Sequence, residues 1–253
     1  MKFSKRNKKD ILEYLSVDYS RLDNYLSQLK NDRSFFKKWG FSLGLNLGPL
    51  RIQTTDRDKI RDINVPQKIT ELRKLLEKSE SLLLERPHYP KSFDENVFIL
   101  ENHIKARRLL LQKTGTTIKG LVSIVIWVSM PRRLKPEKDA IYFSKTEESI
   151  LYLVENIWED DCYSRMMSGC SALQWVIKNA IGSDPSGFDL FDSQEYDTPL
   201  DAFKSLGAID QGERTISTLY RIRYLTDEGF LRHRGNTFRC FDVVGYPVYI
   251  SSP

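Results

Sequence analysis

One run limits the folds open to this chain more than any other feature. Gly120-Leu-Val-Ser-Ile-Val-Ile-Trp-Val-Ser-Met130 carries no charge and is stopped by Pro131-Arg132-Arg133. It is too short to span a membrane, and its Val/Ile content between Gly and Pro favours a strand over a helix. A strand without a polar face is covered on both sides, so the run predicts the central strand of a sheet with Trp127 buried in it.

The neighbouring segments supply the rest of that sheet. Phe98-Ile-Leu-Glu-Asn-His-Ile-Lys-Ala-Arg-Arg-Leu-Leu-Leu111 lies across the polar turn 113–120 and reads as the hairpin partner of the central run. Ala140–Ser144 and Ile150–Val154 have strand composition. Near the start, the segment 10–17 reads as a strand, followed by a helix capped by Asp18 or Ser20 with Leu22, Tyr25, Leu26 and Leu29 on one face. Phe41, Leu43, Leu45 and Leu47 alternate as in a half-covered strand. From Pro66 the period changes, and Ile69, Leu72, Leu75, Leu76, Leu82 and Leu83 outline an amphipathic helix ended by Pro87. Ser171–Gly182 reads as a further helix, and the Ser, Asp, Gly and Pro of 183–197 mark a domain boundary.

Several chemistries are disfavoured. Gly44 and Gly48 precede Pro49, and Lys113-Thr-Gly lacks a following Gly-Lys-Ser/Thr, so neither segment is a phosphate-binding loop. Cys162, Cys170 and Cys240 are odd in number and without ligand spacing, which argues against a disulfide framework or zinc site and fits a reducing cytoplasm. Trp158-Glu-Asp-Asp-Cys162 groups carboxylates whose side chains diverge, and nothing local joins the thiols to His88, His103 or His233. Ser168-Gly-Cys-Ser-Ala lacks the Gly-x-Ser-x-Gly elbow. The helix start at Ser168, Gly169 and Ser171 remains a candidate anion site through its backbone N–H groups. No cofactor, metal or membrane association is expected.

Charge distribution points to the C-terminal segment. The formal net charge is +5, with lysines and arginines in residues 1–9 and again at Arg214, Arg221, Arg223, Arg232, Arg234 and Arg239. Residues 198–208 and 213–228 read as two helices, followed by a hairpin about Gly235-Asn236, the way a winged helix ends. On a helix, Ile216, Leu219, Tyr220 and Ile222 share one arc, and Arg214, Ser217, Thr218, Arg221 and Tyr224 the other. The outward arc would meet phosphates and base edges, with Arg232, His233 and Arg234 of the hairpin adding backbone contacts. Arg223 falls within the apolar arc, where an internal ion pair is the competing explanation. A final strand at Val243–Ile250 carries Pro247, which favours a sheet edge.

Tyr14-Leu-Ser-Val-Asp-Tyr-Ser-Arg-Leu-Asp23 and Met167-Ser-Gly-Cys-Ser-Ala-Leu173 together resemble segments of uncharacterised bacterial proteins found with caspase-like and repeat-protein conflict systems. That resemblance implies a component of an antiphage or self/non-self system, with other defence-system proteins as partners, and assigns no catalytic residue. The expectation is therefore an α+β protein: a mixed or largely antiparallel sheet with packed helices over residues 10–182, a connector 183–196, and a winged-helix-like unit 197–253. The expected function is non-catalytic binding of DNA or RNA by a cytoplasmic regulatory or sensing protein. A nucleotide- or anion-binding sensor or enzyme built on the core sheet, and a structural adaptor in a defence complex, are the alternatives.

Overall fold

Strands flank the charge-free run on both sides. The computed structural model describes residues 13–31, 64–86, 97–112, 123–131, 144–145, 149–155, 196–233 and 235–253. The run forms β4 (Ser123–Ser129), with β3 (Phe98–Gln112) antiparallel on one edge and β6 (Ile150–Glu155) antiparallel on the other. Trp127 stands opposite Arg108 and Leu153 and is 1% exposed. Burial on both faces is what an uncharged β-branched run requires, and here the expectation holds.

The sheet then closes on itself. β8 (Asn236–Ser251) lies parallel to β6 through Ile150–Leu153, and β7 (Ile209–His233) is antiparallel to β8 and also to β3. The five strands make a ring, β3-β4-β6-β8-β7 and back to β3. Two short strands, β1 (Tyr14–Val17) and β5 (Ser144–Lys145), add to β8 at Tyr249–Ser251 and Phe238–Arg239 on the edge that β6 occupies. Pro247 sits between the stretches of β8 that pair with β6 and with β1, facing Tyr220 where the β7–β8 register shifts and β8 carries one extra residue, Val248. There its missing N–H is tolerated, although β8 is no sheet edge.

Alternation separates an inside from an outside. Ile99, Ala106, Val125, Trp127, Leu151, Leu153, Ile216, Tyr220, Ile222, Val243 and Ile250 form one buried cluster drawn from all five strands. On β3 and β7 the opposite face carries the exposed Asn102, Lys105, Glu213 and Thr215, so the cluster is the barrel interior. A bulge between Glu101 and Ile104, with His103 at φ +57°, keeps Ile99, Glu101, Ile104 and Ala106 turned inward. Gly245 makes room: a Cβ there would lie 2.4 Å from the Tyr220 ring. The outer faces of β4 and β6 are buried as well, beneath Ala202 and Phe203 of a short helix and Leu231, Phe238 and Cys240 of the β7–β8 hairpin.

Residues Asp18–Leu82 form a second compact unit. It contains helix α1 (Tyr19–Asn31), capped by the Asp18 carboxylate on the Arg21 N–H at 2.9 Å, and helix α2 (Val65–Lys78) with Pro66 in its first turn. Among its described residues the buried hydrophobics are Leu22, Leu26, Ile69, Leu72 and Leu76, and Lys68–Asp23 (2.6 Å) and Lys30–Glu71 (3.0 Å) tie the helices. α2 ends earlier than expected, at Lys78 with Ser79 as its C-cap, because Glu80 turns left-handed (φ +57°) and Leu82–Leu83 form a short strand, β2.

The α+β expectation is overturned. Among the described residues the only helix besides α1 and α2 is α3 (Pro199–Ser205), and the main body is a closed β-barrel. Nor is there a winged helix: the segment expected as its second helix is the middle of β7. Thr215, Ile216, Thr218, Tyr220 and Ile222 fit a strand as well as a helix, and long-range pairing with β3 and β8 decides between them. The predicted turn at Gly235-Asn236 is present, with Gly235 at φ +79°. The connector expected at 183–196 lies outside the described residues except for Tyr196, and β7 and β8, which follow it, supply two of the five barrel strands. The strand expected at 41–47 and the helix at 171–182 lie outside the described residues.

Candidate nucleic-acid interface

β7 carries most of the residues singled out from sequence, and its period of two sorts them differently from a helix. Thr218 points inward, fully buried, with its hydroxyl donating to the Tyr249 carbonyl at 2.8 Å. Ser217 is buried too, and its carbonyl accepts from the Ser251 hydroxyl at 3.3 Å. Both belong to the β7–β8 seam, so neither reaches a ligand. Arg214 is exposed, and its side chain makes no hydrogen bond or ion pair among the described residues. Arg221 and Arg223 are half-buried. For Tyr224 and His233 only the backbone is described, in β7, while Arg234, Ser168, Gly169 and Ser171 lie outside the described residues.

At the hairpin end, Arg232 is held by the segment leading into α3. Its backbone N–H donates to the Asp197 carbonyl at 2.7 Å, and its guanidinium lies 3.5 Å from the Asp197 carboxylate. α3 itself starts with a built cap: the Thr198 hydroxyl accepts from the Asp201 N–H and donates to the Asp201 carboxylate at 2.7 Å. Beyond α3, Asp210 binds Arg107 at 2.6 Å, accepts the Gly212 N–H at 2.9 Å and lies 3.7 Å from Lys204. Burial raises the Asp210 pKa, but these hydrogen bonds and charges outweigh it and hold the carboxyl below its ordinary value. Lys105 pairs with Glu213 at 3.6 Å. Much of the cationic surface on β3 and β7 is thus already matched by carboxylates.

Two polar groups inside the barrel had no signal in the sequence. Arg86 enters at one end, donating from Nε to Glu101 at 2.9 Å and from its Nη atoms to the Ser129 hydroxyl (3.3 Å) and Ser149 carbonyl (3.4 Å). The second Glu101 oxygen accepts from the Tyr220 hydroxyl at 3.0 Å, inside the fully buried environment of that ring. Burial, with the Glu101 charge beside it, pushes the Tyr220 hydroxyl well above its ordinary value, so it stays a donor. Both Glu101 oxygens are engaged, and the network closes the barrel rather than offering a general base.

The second group joins five strands. The Trp127 indole N–H donates to Glu155, Arg108 lies over the Trp127 ring at 5.7 Å, and Ser16 of β1 also hydrogen-bonds Glu155. Arg108 donates to Gln211 as well. Burial raises the Glu155 pKa, only partly offset by Trp127, Arg108 and Ser16. Both arrangements depend on strand register, with partners from 15 (Arg86 and Glu101) to 139 (Ser16 and Glu155) positions apart, which single-sequence periodicity does not encode.

Cys240 is buried, while Cys162 and Cys170 lie outside the described residues. Among the described residues, no group of three or more His, Cys, Asp and Glu side chains is placed to hold a metal ion, and no helix is long and apolar enough to cross a membrane. Comparison with family models, curated proteins and solved structures returns no match to this chain.

Proposed function

We propose that the barrel binds a nucleic acid without catalysis, through arginines of β7 and the β7–β8 hairpin rather than through a recognition helix. The carrying observation is one long strand bearing Arg214, Arg221, Arg223 and Arg232 in a barrel whose ring strands, numbered along the chain, run 1-2-3-5-4 before closing on strand 1. This Greek-key order, with the third and fifth strands parallel, is that of the OB-type barrel, a class that binds oligonucleotides. Fold alone does not assign function, so the weight rests on the arginines. Guanidinium groups match phosphate oxygens bidentately and retain their charge. Arg221 is on the outer face of β7, between the inward Tyr220 and Ile222, and Arg214, paired with the inward Ala106, is exposed on the other face, so each can meet phosphate oxygens without the two forming one continuous track. The outer faces of β4 and β6 are closed by α3 and the hairpin, which leaves β7 as the better-placed surface.

The test is anisotropy of labelled single-stranded DNA, single-stranded RNA and duplex DNA across a salt titration. Binding should weaken steeply with salt. Arg214→Ala and Arg232→Ala should each flatten the slope of log affinity against log salt by about one while leaving the melting temperature nearly unchanged. Failure to bind any of the three at low salt, or binding indifferent to salt, removes the proposal.

A further inference from the structure

We infer that the segment leading into α3 is an internal anionic competitor for the nucleic-acid site, with Asp197 the carboxylate that a phosphate displaces from Arg232. This rests on the reading of the barrel as a nucleic-acid binder and adds a regulation to it. Geometry separates Asp197 from the other acids of its neighbourhood. Asp201 is committed to the Thr198 cap, and Asp210 sits at 2.6 Å from Arg107 with a second hydrogen bond from Gly212. Asp197 is 66% exposed on its side chain, and its carboxylate stands 3.5 Å from the Arg232 guanidinium, longer than a close charge-assisted bond. The pair is accessible and loosely held, so an incoming phosphate can exchange for it.

The backbone bond from the Arg232 N–H to the Asp197 carbonyl makes the competition intramolecular. It holds the carboxylate beside Arg232 at an effective concentration that does not depend on the amount of protein. The surrounding sequence has the same charge: between Lys178 and Lys204 there is no lysine or arginine, but there are Asp184, Asp189, Asp192, Glu195, Asp197 and Asp201. A segment of this composition, joined to an arginine-bearing hairpin, presents the chemistry that a polyanion presents. An exposed pair sets the scale of the effect at about two- to fivefold in affinity.

Asp197→Asn removes the charge and leaves the backbone bond and the cap in place. In the full chain, with a labelled single strand at low salt, it should bind about two- to fivefold tighter than the wild type, the gain shrinking as added salt screens the pair. In an Arg232→Ala background the same substitution should change nothing. Tighter binding by Asp197→Asn whether or not Arg232 is present would show a general charge effect and overturn the inference, as would unchanged or weaker binding while Arg232→Ala still weakens the wild type. Binding by Asp197→Asn alone, with a silent wild type, would support it. Silence of both proteins towards every nucleic acid would remove the underlying reading and the competitor with it. Asp197→Ser, with a melting temperature matching the wild type, repeats the measurement if the Asn variant folds poorly.

Discussion

Two carboxylates of the barrel unit have their pKa values moved in opposite directions, and each gives stability its own dependence on pH. Asp210 is held below its ordinary value, so the folded state favours its charged form. Its contribution is therefore present above the ordinary Asp value and lost as the pH falls through the lowered one. Glu155 is raised chiefly by burial, so the folded state favours its protonated form; its contribution is complete below the ordinary Glu value and lost as the pH rises through the raised one. Thermal melts of three proteins over a pH series separate the two. Asp210→Asn should be most destabilised near neutrality and approach the wild type in acid. Glu155→Gln should melt above the wild type near neutrality, the gap closing in acid. A Glu155→Gln protein that melts lower at neutral pH would show that Arg108 and the Trp127 N–H outweigh burial. The burial of Trp127 was legible from its uncharged neighbours. Its partner was not, because Glu155 reaches the indole only once β4 and β6 have taken their register.

At the scale of elements, the sequence was most legible where a run is uniform and least where two periods coexist. β4, its β3 partner, β6, α1 and the Gly235 turn were predicted from composition and punctuation. β7 was not, because Ile216, Leu219, Tyr220 and Ile222 satisfy the helical period while Ile216, Thr218, Tyr220 and Ile222 satisfy the strand period. Only pairing with β3 and β8 settles the matter, and pairing is a property of distant residues. The same error placed Ser217 and Thr218 on a binding surface when they are buried in the seam. The interior also contains a glycine whose need is visible only in three dimensions. At Gly245 a Cβ would stand 2.4 Å from one atom of the Tyr220 ring and 3.3 Å from Leu153. The Tyr220 hydroxyl is bound to Glu101, so the ring has little freedom to withdraw. Gly245→Ala should accordingly cost about 1–3 kcal/mol in urea denaturation. An unchanged midpoint would mean that the ring moves aside and that the Glu101 bond does not anchor it.

For the whole molecule, the decisive contacts join the two ends of the chain. Residues Asp18–Leu82 form their own unit, while the barrel takes β1 from before it and the remaining strands from after it, with β7 and β8 completing the ring. A change of composition at 183–197 is a fair sign of a surface connection, yet it carries no information about which strands will meet across it. Hence the sequence could suggest a separate C-terminal unit although the ring needs it. A fragment ending at residue 182 contains β3, β4 and β6 but lacks the strands that pair β3 on its other edge and β6 on its other edge. It would expose two open edges together with Ile99, Trp127 and Leu153 from the interior, a combination that favours aggregation over a monomeric fold. The complementary fragment 197–253 is essentially α3 and one hairpin, which lacks the covering surface that a two-stranded ribbon needs. Neither should show a cooperative melt by circular dichroism. Mixed during refolding, the two can regain strand signal only by pairing with each other. A monomeric fragment 1–182 with a sharp transition of its own would show that three strands suffice for the core and that β7 and β8 are an addition to it.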